Sequence, residues 1–473
     1  MSKIVIEPIS RIEGHAKITI QLNDEGEVSN AYFHVLQYRG FEKFCEGRMF
    51  WEMPLITSRI CGICYTSHHI ASAKACDEIL GVEITDTARK LRELLQTGEI
   101  IQSHALHFFY LASPDILFGI ESTPERRNVA ALIKEKPLLA KMGIHLRKFG
   151  QSIFERLSGS RIHINYAIPG GVNAALADED RRKMLEEIPN CINEAETAIK
   201  LIKDYCRENE NEILNFARFN SKYLGLIDEK GNLEFYDGKL RMKSENGSII
   251  EELEPENYGS MISEAVEDWS YMKFPYYSKE GFPHGMYRVG PLARLNVADE
   301  VSTPLAKKEM MEFKEYGENG IVNSLMLYHY ARLIELLYAL EKARSLLEDE
   351  KICSTDIFQR ARQSKNEGIG VIEAPRGTLI HHYHVNERGV IQKCNLIVAT
   401  AHNNLAMNKS IMEVARNYIK KGEIKEGILN RLEVAIRCYD PCLSCATHAV
   451  GQMPLKVQII SPEGKLIKVL SRA

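Results

Sequence analysis

The sequence has no uncharged apolar stretch of about 18 residues, so no transmembrane helix is expected. Its first residues, MSKIVIEPISRIEGH, hold no apolar run of signal-peptide length. Basic charge is not in excess. Lys and Arg number 60 against 64 Asp and Glu, a net charge of −4, which argues against non-specific nucleic-acid binding. There are no repeats, no low-complexity linkers and no Gly-rich dinucleotide fingerprint after a strand. What these absences leave is a globular chain with the cytoplasm as its expected location. Its 11 cysteines, without a secretory signal, point to buried thiols or metal ligands rather than a disulfide framework.

What is present reads as an α+β fold: a predominantly helical body with a buried long-helix bundle, N-terminal antiparallel strands and a short C-terminal β-hairpin. Residues Ile4 to Leu36 alternate in polarity around the turn signal Asn23-Asp24-Glu25-Gly26. From Thr87 to Leu111 the apolar spacing becomes helical, after a Thr-Asp-Thr start. Residues 176–218 read as a second long helical region, highly charged on one side. Residues 225–250 read as hairpins in an insertion. Ile321 to Leu347 is proline-free and apolar on most sides, which predicts a buried helix. The tail LKVQIISPEGKLIKVL alternates around Pro462-Glu463-Gly464 and predicts a hairpin. No clean boundary divides the chain, so 1–473 is expected to be one interlocked unit, with 449–473 as a C-terminal extension.

Two cysteine pairs carry the chemistry. SRICGICYTSHH holds Cys61 and Cys64; DPCLSCATH holds Cys442 and Cys445. Each CxxC puts two sulfurs on one side of a short turn, and two such pairs make a four-thiolate site. Structural zinc is the usual occupant of four cysteines. A staple between the two ends of a long chain is unusual for zinc, and thiolates alone do not choose among zinc, iron and nickel. The other seven cysteines (Cys45, Cys76, Cys191, Cys206, Cys353, Cys394 and Cys438) are scattered, without cluster-type spacing.

The flanking stretches choose. PISRIEGH, RGFEKFCEGR, SHALHFFYLASPD, YRVGPLARLN, IEAPRGTLIHHYHV and DPCLSCATH follow one another in this order. In that succession, from Arg11 to His448, the chain resembles the large, catalytic subunit of nickel–iron hydrogenases. The stretch CGICYTSHHIASAKACDEILGVEIT is most similar to the methanogen branch that reduces methyl viologen but not the deazaflavin coenzyme.

The resemblance implies a nickel–iron centre whose iron carries carbon monoxide and cyanide. Cys61 and Cys442 would be terminal nickel ligands, and Cys64 and Cys445 would bridge nickel and iron. Heterolytic cleavage of dihydrogen needs a base, and the family assigns it to the Cys442 thiolate with Glu13 as the relay. Arg376, beside Pro375, would sit over the metals and Thr400 would donate to a cyanide. His68 would bond a bridging sulfur and Asp440 would be the neighbouring carboxylate. Glu42, the Leu396 carbonyl and His448 would hold magnesium or iron. One departure is Ser103, where many respiratory members carry an aspartate.

Because this chain has no cluster spacing of its own, a small iron–sulfur subunit is implied. The viologen-reducing type also implies a further electron-transfer subunit and heterodisulfide reductase. Large subunits of this kind are cut just after the histidine that is His448 here, which would explain why residues follow the last motif. Two other readings stand beside the enzyme: a dihydrogen sensor with the same site, and a non-redox protein with a zinc staple.

Overall fold

The computed structural model describes residues 3–420, 426–447, 455–460 and 466–472. The N-terminal sheet is as expected. Lys3–Ile6, Ala16–Leu22 and Val28–Val35 pair antiparallel in that order. Ile18, Ile20, Phe33 and Val35 line its inner face without exposure, which is the alternation seen in the sequence. The turn closes because the Asn23 side chain accepts the Glu25 and Glu27 N–H groups.

The body is helical. Tyr65–Leu80 is followed by Asp86–Leu106. Between them Gly81 takes a left-handed cap (φ 61°), and Thr85 caps the second helix by accepting the Ala88 N–H. Asp86–Leu106 runs on into one wide π turn over His107–Ala112. The charged region forms the long helix Asp178–Glu208 and the short one Glu210–Asn215. Tyr328–Glu348 packs against both Asp86–Leu106 and Asp178–Glu208. From Tyr328 through Glu341 every one of its residues is buried. Each buried leucine there contributes on the order of 1.5–3 kcal/mol relative to exposure.

That helix starts later than its apolar pattern predicts. The Asn296 side chain takes both the N–H and the carbonyl of Val322, so these groups are lost to helical pairing. Residues 321–324 are extended, and one 3-10 turn, Leu325–Leu327, precedes the helix.

The stretch from 225 to 250 contributes to a four-stranded sheet rather than to hairpins alone. Lys222–Ile227, Lys239–Lys243 and Ile249–Leu253 are antiparallel neighbours, and Tyr287–Arg288 adds parallel to the first. A further sheet has no counterpart in the expectations above. Glu367–Ala374, Gly377–Val385 and Ile391–Ile397 pair antiparallel. Its first strand lies on Tyr65–Leu80 so closely that a Cβ at Gly370 would meet the Ala71 carbonyl at 1.9 Å. The two-residue turn between its first strands presents Pro375 and Arg376. At the far end of the chain Leu455–Ile460 and Leu466–Arg472 pair antiparallel, the hairpin expected there.

Candidate metal centre

The first cysteine pair is organised locally. Cys61 follows the 3-10 turn Ser58–Ile60, and Cys64 is the N-cap of Tyr65–Leu80. Between them the backbone curls round sulfur: Ile63 and Cys64 donate their N–H groups to Cys61 Sγ at 3.2 and 3.4 Å. The second pair sits at the start of the four-residue helix Leu443–Ala446, and it is positioned from afar. Glu13 and Cys442 form a parallel bridge, the Glu13 carbonyl accepting the Leu443 N–H. Thr400 Oγ1 accepts the Cys442 N–H at 2.9 Å.

The two pairs meet. Cys61 Sγ lies 3.3 Å from Cys442 Sγ, and Cys64 Sγ lies 3.2 Å from Cys445 Sγ. All four sulfurs are within 4.8 Å of one another and buried. Hydrogen bonds from Cys442, Cys445 and Cys64 hold the Cys61 thiol well below its ordinary value, while burial pushes Cys442 and Cys445 well up. The sulfurs thus meet one another through their protons. Bound metal ions would take the place of the protons.

A cavity of about 20 Å³ opens on the sulfurs, lined by Cys64, Pro375, Arg376, Thr400, Cys442 and Cys445 among others. That exceeds the roughly 10–15 Å³ that a single water needs. Arg376 donates from Nε to the Asp440 carbonyl at 2.6 Å and from Nη2 to Asp440 Oδ1 at 3.1 Å. Arg376 Nη1 and Asp440 Oδ2 are buried without a protein partner. The grip also fixes the backbone, because Asp440 sits at φ 53°, a left-handed conformation that aspartate adopts more readily than most residues. Burial pushes the Asp440 carboxyl above its usual range even against Arg376.

His68 Nε2 lies 3.4 Å from Cys445 Sγ. Its Nδ1 meets His381 Nε2 at 3.0 Å, and His381 Nδ1 meets the Tyr383 hydroxyl at 2.7 Å. Tyr383 in turn donates to Ser72 Oγ at 2.9 Å. Burial lowers His68 to about 4, so its ring is neutral and its tautomer is set by this chain. Glu13 is half-buried, and its Oε2 accepts the Ser444 N–H at 3.0 Å.

Glu42 and Leu396 are adjacent: Glu42 Oε1 accepts the Leu396 N–H at 2.9 Å. The same oxygen accepts from Lys273 Nζ at 2.8 Å, and Lys273 also reaches Asn395 and Glu264. The nest is oxygen-rich, which suits magnesium. His448 lies outside the described residues. Ser103 is buried, its hydroxyl without a partner.

Several residues at the site escaped the sequence reading. Arg39 Nη1 donates to the Ile60 carbonyl and, at 3.2 Å, to that of Ser444, tying the two cysteine loops together. Arg294 is wholly buried. It holds Glu335 at 2.6 Å, Glu373 at 2.7 Å, and the carbonyls of Ala374 and Pro375 at 2.8 and 3.1 Å. It thereby fixes the turn that carries Arg376. Glu99, wholly buried, is pushed up to about 8 by burial. The available signal was a charge inside an apolar helix pattern: Glu335 in ARLIELLYAL and Glu99 in TGEIIQ.

A buried four-sulfur centre bridging both ends of a chain, with an arginine over it, defines a thiolate metalloenzyme site. The chain belongs to the nickel-dependent hydrogenase family, which it matches over residues 39–127 and 207–448; residues 3–38 match a HoxL-like family. It is 43% identical to the corresponding chain of the vhc F420-non-reducing hydrogenase of Methanococcus voltae, over 99% of this chain and 100% of that one. It is 41% identical to the beta chain of the NAD-reducing hydrogenase HoxS of Cupriavidus necator, over 99% of each. Among solved structures, that of an NAD+-reducing [NiFe]-hydrogenase in the H2-reduced state covers 95% of this chain and 100% of its own, at 43% identity and a TM-score of 0.92. The protein is therefore an enzyme, a nickel–iron-type hydrogenase large subunit. No described helix is long and apolar enough to cross a membrane.

Proposed function

We propose that the chain is the catalytic subunit of a cytoplasmic, heteromeric nickel–iron hydrogenase that cleaves dihydrogen reversibly into protons and electrons. The observation that carries this reading is the four-sulfur cavity with Arg376 Nη1 left unpartnered on its wall. Cys61 and Cys442 would be terminal nickel ligands, and Cys64 and Cys445 would bridge nickel to iron. When bound, the metal pair, with carbon monoxide and cyanide on the iron, supplies the electrophile that polarises dihydrogen and accepts its electron pair.

The chain's own residues manage the proton and the orientation. Cys442 Sγ takes the proton as the terminal thiolate. Glu13, bonded to the Ser444 N–H two residues on, receives it and passes it outward. Arg376 Nη1 is free to donate to one cyanide nitrogen. Thr400 accepts from the Cys442 amide, so its own hydroxyl hydrogen remains to donate to the other. His68 Nε2 faces Cys445 Sγ at 3.4 Å, a contact that would steady a bridging ligand. Glu42, the Leu396 carbonyl and His448 would hold magnesium, and cleavage after His448 would release residues 449–473. Intact mass of the purified protein tests that step.

Electrons leave through an iron–sulfur partner subunit. The methanogen-type resemblance adds a further electron-transfer subunit and heterodisulfide reductase. The two relatives at 43% and 41% identity are named for different electron routes, one as F420-non-reducing and one as NAD-reducing, and the acceptor of this chain is a separate question. Co-purification from native cells answers it. We read residues 1–473 as one interlocked unit, supported by the Glu13–Cys442 bridge.

The test of the centre is an infrared spectrum with metal analysis of purified protein. Iron-bound carbonyl and cyanide bands with about one nickel and one iron per chain are expected. Zinc alone, or no such bands in nickel-replete protein, overturns the reading.

A further inference from the structure

The strand Gly377–Val385 has two faces, and the second one carries chemistry that the hydrogenase reaction does not use. His381, Tyr383 and Val385 point inward. His382 and His384, two apart, share the outward face. Glu367 opens the neighbouring strand and pairs directly with His384, while Ile369 pairs with His382. Strand register alone therefore brings two imidazoles and one carboxylate together.

Their atoms converge. His382 Nε2 lies 2.7 Å and His384 Nε2 3.7 Å from the same oxygen, Glu367 Oε1. The three ligand atoms are within 4.8 Å of one another. Around tetrahedral zinc, with bonds of about 2.0–2.1 Å, ligand atoms stand roughly 3.3–3.4 Å apart, between the two separations seen. The far nitrogen of His382 is also engaged: Nδ1 lies 2.7 Å from the hydroxyl of buried Tyr258. That is the outer hydrogen bond by which a metal-binding histidine is oriented. Burial lowers His382 from its ordinary value, which favours the neutral ring a metal requires. The cluster borders a surface cleft of about 460 Å³ whose wall includes the carboxylates Glu78 and Glu256.

We propose that Glu367, His382 and His384 form a second metal site, for a divalent first-row cation of the zinc class. Two imidazoles and a carboxylate suit such an ion, and the side open to the cleft leaves a coordination position for water. Nε2 of each histidine binds the ion, and His382 Nδ1–H then donates to the Tyr258 oxygen. The site clasps the open end of a hairpin. The turn at the other end carries Arg376, and the inner face carries His381. Binding to the folded state alone stabilises that hairpin.

The purified hydrogenase complex is dialysed against a weak chelator, then against zinc, and its metals are counted. One zinc per chain beyond the catalytic nickel and iron is expected. His382→Gln with His384→Gln loses that zinc while keeping nickel and dihydrogen turnover, which shows that the fold is intact. His384→Gln alone, at a more exposed position, serves if the double variant does not fold. Tyr258→Phe weakens zinc binding about ten- to hundredfold. Zinc-edge X-ray absorption is expected to show imidazole and oxygen ligands. Equal zinc in wild type and variants, no zinc in either, or sulfur in the zinc shell overturns the site.

Discussion

The two cysteine pairs share a spacing and differ in what holds them. Cys61 and Cys64 are placed by their own neighbourhood: a 3-10 turn, two N–H groups on one sulfur, and the start of a sixteen-residue helix. Cys442 and Cys445 sit on a helix of four residues. They are positioned by Glu13, Arg39, Arg376 and Thr400, from three distant parts of the chain. A pair shaped mostly by its own backbone is legible in a short window of sequence, though Arg39 and Gln102 also hold the Ile60 and Ile63 carbonyls beside it. A pair that depends on long-range partners is only as good as those partners.

The largest effect should come from removing a sulfur shared by both halves. Cys64→Ser or Cys445→Ser is expected to abolish nickel retention and turnover, because a serine hydroxyl does not supply the soft anionic bridge. Elemental analysis checks it, and a variant that keeps full nickel would refute the shared-bridge assignment. Glu13→Gln comes next. The amide oxygen can still accept the Ser444 N–H, so the second pair should stay in place with nickel bound. Turnover and isotope exchange should nonetheless fall about 10²–10⁴-fold, as for loss of a general base. Loss of nickel together with activity would instead make Glu13 a strut of the second pair.

Arg376→Lys probes the same asymmetry from the other side. Lysine cannot reproduce the two-point grip on Asp440 together with a free third donor. A fall in turnover of about 10²–10³-fold is expected, with shifted cyanide bands in the infrared. Unchanged bands would separate Arg376 from the diatomic ligands. A smaller change is expected from Tyr383→Phe, which keeps the packing and removes the end of the chain through His381 and His68 to Cys445. The altered contact at that sulfur should shift the carbonyl band, with turnover within about tenfold of wild type. An unmoved band would show that His68 is oriented without Tyr383.

The same contrast explains what the sequence disclosed. The N-terminal strands, the long helices and the tail hairpin were readable because each follows one period over many residues. The start of Tyr328–Glu348 was not, because a side chain 26 residues upstream, Asn296, takes the backbone groups of Val322. The sheet of 367–397 was not legible because GTLIHHYHV is buried through its first five residues and alternates only from His381 on, which leaves a mixed apolar pattern. At the site, motifs pointed to Cys61, Cys64, Cys442 and Cys445, which the fold does bring together. Arg39 and Arg294 were invisible in the sense that matters: a motif shows that an arginine is present, not that it ties two distant loops.

The smallest predicted effect concerns the carboxyl on the locally built side. Glu99 donates nothing to the second pair. It accepts from Gln102 Nε2 at 2.8 Å, and Gln102 also donates to the Ile63 carbonyl inside the first CxxC loop. Burial raises its pKa from an ordinary 4.5 to about 8. The folded state therefore keeps a proton that the unfolded state gives up, so stability is greatest below the unfolded value and declines as pH rises towards the folded one. The slope is about −1.4 kcal/mol per pH unit between those limits, and it vanishes above about 8, where both states are ionised. Glu99→Gln keeps the Gln102 bond and removes the titration. Denaturation midpoints measured from pH 5 to 8 should thus fall less steeply for Glu99→Gln than for wild type. Parallel slopes for wild type and Glu99→Gln would show that Glu99 is ionised in the fold, and that the first pair sits beside a second carboxylate rather than a neutral acid.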